Sequence, residues 1–154
     1  MCGIYGVIAK KKSYYSYEYI SKIVLNLALL SESRGKESAG LAYYDFLNND
    51  INVLKGPVPS SEMIKGSLFK SHLKNLKSHF NEKNNTLPIA VMGHSRLVTD
   101  GSFLHDENNQ PTIKCGIVSI HNGIFTNHKS VWSKYQNLKR EFEIDTEIFN
   151  SLLK

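Results

Sequence analysis

Short apolar segments alternate with segments of helical periodicity along this chain, and their order strongly restricts its fold. Residues 2–9 are apolar and β-branched, with Gly3 and Gly6 among them, which predicts a buried strand. Residues 18–32 carry apolar side chains at helical spacing and predict an amphipathic helix. The elements expected after these are a hairpin of residues 39–45 and 51–55, an exposed helix 60–80, a polar linker 81–86, strands 89–92 and 113–121, and helices 127–138 and 145–153. This order is typical of an α+β fold with helices outside antiparallel sheets.

The composition fits one globular domain. A chain of 154 residues is long enough for a single core, and 41% hydrophobic residues exclude a disordered chain. No apolar run approaches the roughly 18 residues of a membrane span, and the first apolar segment is too short for a signal peptide. Cys2 and Cys115 are the two cysteines, and they show no metal-ligand spacing. We therefore predict a cytoplasmic chain with no membrane partner, no metal and no other cofactor.

The formal net charge of +5 raises the question of a nucleic acid or an anionic membrane surface as partner. Many of the basic residues lie in 65–83 and 129–140, interleaved with Ser, Asn and Leu in a helix-like pattern. The chain also has no aromatic-and-basic motif of the kind that binds single strands. We interpret the charge as solvated helix faces and predict no nucleic-acid partner.

The cysteine at position two has two interpretations. Cys2 can simply begin a buried strand, because free cysteine is among the most buried residue types. Alternatively, removal of Met1 leaves a residue with both a thiol and a free α-amino group, whose ordinary pKa is roughly 7.7–8.0. One residue would then supply a nucleophile and its general base, as in hydrolases that use an N-terminal threonine.

Four further segments place small or polar residues where a predicted strand or helix begins or ends. Such positions expose backbone N–H groups and direct side chains to a common cleft if the elements are neighbours. Each also has a purely structural interpretation: the glycines can be turn residues, His94 and His121 core histidines, and Asp145 a helix N-cap. The segments are Arg34 to Gly40, Gly93 to Gly101, His121-Asn122-Gly123 and Asp145-Thr146-Glu147.

Together these segments resemble the class II glutamine amidotransferases, which belong to the N-terminal nucleophile hydrolases. The motifs follow the order of that family and span nearly the whole chain. They are Met1-Cys2-Gly3-Ile4, Arg34-Gly35-Lys36-Glu37-Ser38-Ala39-Gly40, Gly93-His94-Ser95-Arg96 with Thr99 and Gly101, Asn108-Asn109-Gln110-Pro111, His121-Asn122-Gly123-Ile124, and Asp145-Thr146-Glu147.

The resemblance implies a role for each matching residue. Cys2 would attack the side-chain amide of L-glutamine, release ammonia and form a γ-glutamyl thioester, with Arg34 supporting its surroundings. Asn122 and the backbone N–H of Gly123 would hold the oxyanion. The other three residues would bind the α-substituents of glutamine. Arg96, assisted by Thr99, would bind the α-carboxylate, and Asp145 would bind the α-ammonium.

The resemblance also implies a four-layer αββα sandwich and an ammonia-accepting synthase domain or subunit, and it allows a homo-oligomer. The family's domain continues beyond the Asp-Thr-Glu helix, so we expect residues 1–154 to be a glutaminase domain truncated at its C-terminal end, with no acceptor domain. Two departures are Leu97 and Asp100, where the family has Trp and His. Both lie in the loop that would close over glutamine.

Three functions stay open from the sequence. The first is the glutaminase part of an amidotransferase, most like the hexosamine-phosphate-forming type. Amidophosphoribosyltransferase, asparagine synthetase and glutamate synthase share this chemistry and stay open as subtypes. The second is a free-standing N-terminal nucleophile amidase on another amide, which the pair Arg96 and Asp145 disfavours. The third is a non-catalytic remnant. Cys115 is expected in mid-strand as an inert core thiol that does not pair with Cys2.

Overall fold

A four-stranded antiparallel sheet forms the centre of the molecule. The computed structural model describes residues 1–81, 85–99 and 101–153. The strands are β1 (Gly3–Ala9), β2 (Ser38–Asp45), β3 (Asp50–Gly56) and β4 (Ile89–Arg96), in the spatial order β1-β4-β2-β3. Ser95 pairs with Gly3 on one side and with Ala39 on the other. The end of β4 and the starts of β1 and β2 therefore meet at one edge of the sheet.

Three helices cover one face of this sheet and enclose the core. They are α1 (Tyr17–Ser31), α2 (Ser60–Met63) and α3 (Ser67–Leu76), with 3-10 turns after α1 (Glu32–Arg34) and after α3 (Lys77–His79). Successive strand residues point to opposite faces, so alternate residues of each strand point toward the helices. The buried apolar residues of this core are Tyr5, Ala9, Ile20, Val24, Ala28, Ala39, Leu41, Tyr43, Met63, Phe69, Leu73, Leu76, Ile89 and Val91.

The prediction of one exposed helix over residues 60–80 is wrong in two respects. It is divided between α2 and α3 at Gly66, which lies at the N-cap of α3 with an extended backbone. It is also not exposed throughout, because Phe69, Leu73 and Leu76 are buried against the sheet. Their spacing of four and three residues forms a narrow apolar stripe on an otherwise polar helix.

The predicted strand 113–121 is a tight hairpin instead. Its strands are β5 (Thr112–Lys114) and β6 (Ile117–Ser119), paired antiparallel. Cys115 and Gly116 form the turn with φ of 55° and 77°. Two consecutive positive φ values are typical of the two-residue turn that fits the twist of a hairpin. Cys115 is consequently exposed, and the expectation of a core thiol is wrong.

The hairpin lies over the second face of the large sheet. A Cβ atom at Gly40 would overlap the carbonyl oxygen of Gln110, so the backbone just before β5 lies directly against β2. Val118 and Ile120 line a groove of about 610 Å³ together with Ala42 and other residues of the sheet. The C-terminal helix α5 (Glu147–Leu152) packs on the hairpin, and α4 (His128–Lys134) precedes it. The architecture is thus α+β with antiparallel sheets, as predicted.

The other predicted elements agree with the structure to different degrees. The prediction for α1 is right to within a residue at each end, and the hairpin of β2 and β3 is confirmed. Helix α4 is shorter than predicted, and the N-cap of α5 is Thr146 rather than Asp145, with no side-chain capping bond. Asp100 and residues 82–84 of the predicted linker lie outside the described residues. None of the helices in the described ranges is long and apolar enough to span a bilayer.

Candidate active site

Cys2 lies at the edge where three strands meet. It immediately precedes β1, and its neighbour Gly3 pairs with Ser95 near the end of β4. The thiol is buried and contacts the backbone of Leu97, with Sγ 3.3 Å from the amide nitrogen and 3.4 Å from the carbonyl oxygen. The residue that follows Arg96 thereby holds the sulfur in place.

Arg34 supports Cys2 from the 3-10 turn that follows α1. Its Nε donates a hydrogen bond of 3.1 Å to the carbonyl oxygen of Cys2. The next residue, Gly35, lies so close to the backbone of Arg96 that any Cβ atom there would overlap it. The backbone N–H of Glu37 also donates to the carbonyl oxygen of Arg96, at 3.2 Å. The segment after α1 thus packs against both Cys2 and the end of β4.

Arg96 is the last residue of β4, and its guanidinium is buried, with only 3% of the residue exposed. Its Nη1 donates to Oδ1 of Asn109 at 3.0 Å, and its Nη2 donates to the carbonyl oxygen of Gly101 at 3.2 Å. Gly101 has a φ of 74°, which favours glycine. Thr99 lies exposed in the same loop. Gly101, in the loop after β4, therefore lies against the guanidinium of Arg96.

Asn122 and Gly123 lie exposed in a loop that follows β6. The loop is anchored at both ends. At its start, the carbonyl oxygen of His121 is 3.2 Å from Nε2 of His94 in β4. At its end, the backbone N–H of Phe125 donates to the carboxylate of Asp145 at 2.6 Å. Asp145 is buried and so ties this loop to the beginning of α5.

The predicted site residues fall into two groups. The buried side-chain amides of Asn109 and Gln110, which are neighbours in the chain, each contact one of the groups. Cys2, Arg34 and Arg96 form the first group, at the sheet edge. Arg34 bonds directly to Cys2, whereas Arg96 meets the other two through its neighbour Leu97 and through Gly35. Asn122, Gly123 and Asp145 belong to the second group. Asn109 holds Arg96 of the first group. Gln110 contacts the backbone of His121 and the hydroxyl of Thr146 in the second. Sequence reasoning noted the segment Asn108-Asn109-Gln110-Pro111 but gave its side chains no role.

Burial shifts the pKa of two side chains at the site. His94 is fully buried, which lowers its pKa to about 4, and the nearby Arg96 acts in the same direction, while the hydrogen bond to His121 opposes both. The imidazole is therefore neutral near pH 7, with its proton on Nε2. Burial also lowers the pKa of Lys55 to about 8, and its Nζ donates to the carbonyl oxygen of Asn109 at 2.7 Å. In the described ranges, no three His, Cys, Asp or Glu side chains cluster as metal ligands do.

Comparison with known proteins finds relatives that match almost the whole chain. No protein-family model matches it. A protein from Wigglesworthia glossinidia brevipalpis is 31% identical over 149 residues, which cover 96% of this chain and 21% of the relative. Relatives from Buchnera aphidicola and Encephalitozoon cuniculi are 28% and 29% identical over 99% and 96% of the chain, and over 22% and 20% of their own lengths. All three are named glutamine–fructose-6-phosphate aminotransferase (isomerizing). The chain spans about a fifth of the length of these curated relatives.

Proposed function

We propose that this chain, which is a homologue of the N-terminal domain of glutamine–fructose-6-phosphate aminotransferases, hydrolyses the side-chain amide of glutamine. The observation that carries this proposal is the position of Cys2. A cysteine one residue from the start of the chain lies at the sheet edge, with its sulfur against the backbone of Leu97 and its carbonyl held by Arg34. A nucleophile needs such support so that its own geometry does not vary.

The reaction begins after removal of Met1, when the α-amino group of Cys2 is free to accept the thiol proton. The thiolate adds to the carbonyl carbon of the glutamine side chain and forms a tetrahedral oxyanion. The C–N bond then breaks, and the amino group of Cys2 gives its proton to the leaving ammonia. Water hydrolyses the resulting γ-glutamyl thioester, which releases glutamate and restores the thiol. The amine thus acts as base when the thiol attacks and as acid when ammonia leaves. During hydrolysis of the thioester it takes a proton from the attacking water and returns it to the departing thiolate.

The oxyanion is held by the side-chain amide of Asn122 and the backbone N–H of Gly123. Donors that point to charge developing only in the transition state lower the barrier directly, and loss of one typically costs about 10²–10³ in rate. The exposure of both residues supports this role, because neither is covered by other parts of the described chain. The anchoring of their loop at His121 and Phe125 supports it as well.

Glutamine is selected by opposite charges at its two α-substituents. Arg96 binds the α-carboxylate with help from Thr99, because a planar guanidinium can donate two parallel hydrogen bonds to a carboxylate. Asp145 binds the α-ammonium. The guanidinium already contacts its own loop at Gly101, so we expect the loop after β4 to rearrange when glutamine enters.

The released ammonia passes to an acceptor on a synthase domain or partner subunit. The names of the relatives support a sugar phosphate as that acceptor, and their fivefold greater length leaves room for a second domain.

The fold we propose is the αββα sandwich of the N-terminal nucleophile hydrolases. Helices on one face of the large sheet, the β5–β6 hairpin on the other face and α5 against the hairpin support it. In this arrangement the hairpin belongs to the second sheet.

A glutaminase assay on two cysteine variants and one N-terminally extended chain tests the proposed function. The wild-type chain is expected to lack Met1 by intact mass and to release glutamate and ammonia from glutamine. Cys2→Ala is expected to abolish this, and so is a short N-terminal extension that resists aminopeptidases and blocks the amine. Cys115→Ser is the matched control, because that thiol is exposed on a hairpin turn and its loss should leave the rate unchanged.

Two outcomes would contradict the proposal. Full activity with Met1 retained would exclude the free amine as base. Equal hydrolysis of glutamine and of 4-carbamoylbutanoate, which lacks the α-ammonium, would exclude Asp145 as a selecting residue and favour an amidase for another amide.

A further inference from the structure

The side chain of Gln110 pairs with the backbone of a single distant residue. Its Oε1 accepts a hydrogen bond of 2.5 Å from the N–H of His121, and its Nε2 lies 3.3 Å from the carbonyl oxygen of the same residue. Nε2 also lies 3.3 Å from Oγ1 of Thr146. The amide thus forms two hydrogen bonds with one backbone unit, as a neighbouring strand would do.

His121 directly precedes the two proposed oxyanion donors. Asn122 and Gly123 are exposed and make no hydrogen bond of their own among those recorded for the described residues, so their position depends on the ends of the loop. Gln110 and His94 hold the His121 end. The other end is held by Asp145 through Phe125.

Gln110 is itself held firmly against the large sheet. It is buried, with 7% of the residue exposed, and its carbonyl oxygen occupies the space above Gly40 in β2 where a Cβ atom would otherwise lie. Residues 121–125, which we call the donor loop, are therefore linked through the side chain of Gln110 to the large sheet, next to which Cys2 lies.

The preceding residue makes a useful comparison because it contacts the other part of the site. Asn109 is also fully buried, but its side chain accepts from Arg96 and donates to the carbonyl oxygen of Phe103 at 2.7 Å. Two consecutive amides therefore hold two different groups, the guanidinium and the donor loop.

We propose that Gln110 is a positioning residue for the oxyanion donors Asn122 and Gly123. The inference rests on the proposed glutaminase function. Because these donors act on charge that develops in the transition state, a displaced loop lowers kcat and leaves substrate binding nearly intact. Loss of the Asn109 contact has the opposite signature, because carboxylate binding contributes about equally to the ground state and the transition state.

The test compares Gln110→Leu, Gln110→Glu and Asn109→Ala by steady-state hydrolysis of glutamine. Gln110→Leu removes every side-chain bond, and we expect kcat to fall about 10- to 100-fold with KM changed less than about 3-fold. Gln110→Glu keeps an oxygen for the N–H of His121 but loses the donor, and it should lie between Gln110→Leu and the wild type. Asn109→Ala should raise KM with a smaller change in kcat. Gln136→Leu, at the chain's exposed second glutamine, is the control and should match the wild type.

Amide hydrogen exchange of residues 121–125 gives a readout that does not depend on activity. We expect the N–H of His121 to be protected in the wild type and to exchange at least about 10-fold faster in Gln110→Leu, but not in Asn109→Ala. A kcat and an exchange rate that both stay at wild-type values in Gln110→Leu would overturn the inference, as would equal losses of kcat in the Gln110 and Asn109 variants. A wild-type chain that does not hydrolyse glutamine would instead overturn the proposed function, while the exchange result still decides whether Gln110 holds the loop.

Discussion

The side chain of His94, in β4, is fully buried, and its Nε2 donates a hydrogen bond to the carbonyl oxygen of His121. An imidazolium at this position would be costly because the surrounding protein excludes water and Arg96 is close by. The residue therefore acts in the fold as a neutral donor. This outcome agrees with the structural interpretation of His94 as a core histidine.

The lowered pKa of His94 predicts a pH dependence of stability. In the unfolded chain His94 takes up a proton near pH 6.5, whereas in the folded chain it does so only near pH 4. The contribution of His94 to the free energy of unfolding is therefore complete above about pH 6.5. It falls by on the order of 1–3 kcal/mol as the pH drops toward 4.

Urea denaturation at several pH values from 7.5 to 4 measures this effect. His94→Gln can still donate through Nε2 but cannot titrate, so its stability should depend less on pH in that range. Asp45 has little effect on this measurement. The hydrogen bond from His79 lowers the pKa of Asp45 from 3.8 to about 2, so its contribution to stability is lost mainly below pH 4. Identical slopes in the wild type and the variant would show that His94 is not buried in its neutral form.

Arg96 and Asn122 separate binding from catalysis at the level of single side chains. Arg96→Lys keeps the charge but loses the planar pair of donors, so KM for glutamine should rise far more than kcat falls. Asn122→Ala should lower kcat by about 10²–10³ with a modest change in KM. Because Asn122 is exposed, the second change should leave the melting temperature unaffected. Interchanged kinetic effects would mean that the two roles are assigned the wrong way round.

At the scale of elements, the turn between β5 and β6 holds Cys115 in a backbone conformation with positive φ, which is unfavourable for cysteine. Cys115 and Gly116 both have positive φ, which costs little for glycine but about 1 kcal/mol or more for most other residues. Among the described residues, only Gly116 itself and its two chain neighbours come within 4 Å of where a Cβ atom would lie at this position. Any cost of a substitution there therefore comes from the backbone conformation.

Two substitutions test this account of the turn. Cys115→Asn should raise the free energy of unfolding by a few tenths to about 1 kcal/mol, because asparagine tolerates positive φ and Asn-Gly suits this turn. Gly116→Ala should lower it by about 1 kcal/mol. Chemical denaturation measures both changes. The opposite order of stabilities would favour a single continuous strand over residues 113–121.

At the scale of the whole molecule, the two faces of the large sheet differ. Helices α1 to α3 cover one face and enclose the core, whereas the hairpin covers only part of the other. Ile8 is 89% exposed and Ile4 51% exposed on that second face, and β1 is an edge strand of the sheet. Exposed apolar strands at a sheet edge promote association between molecules.

We therefore expect a purified chain of these 154 residues to self-associate. Light scattering coupled to gel filtration should give a mass above 17.4 kDa that rises with concentration. Ile8→Lys should shift the distribution toward the monomer. Leu30→Lys replaces an exposed leucine on α1, on the opposite side of the sheet, and should not. A monomeric wild type with a sharp cooperative melt would show that the open face is tolerated.

The sequence by itself determined the local features of this protein. The helical spacing of apolar residues located α1, and the β-branched segments located the strands of the large sheet, because periodicity depends only on neighbouring residues. The motifs around Cys2, Arg96, Asn122 and Asp145 were also visible in the sequence. The relatives confirm the kinship that these motifs indicated, and the roles of the residues remain proposals.

Tertiary structure alone decided how those pieces meet. The pairing of Gln110 with His121 spans eleven residues, and that of Arg34 with Cys2 spans 32, so neither leaves a periodic signal in the sequence. Residues 113–121 do not show the hairpin at Cys115, because an apolar segment with one glycine predicts a continuous strand. Only the pairing of its two halves reveals the turn. Long-range contacts select among conformations that local preference leaves nearly equal in energy, and in this chain they assembled the candidate site.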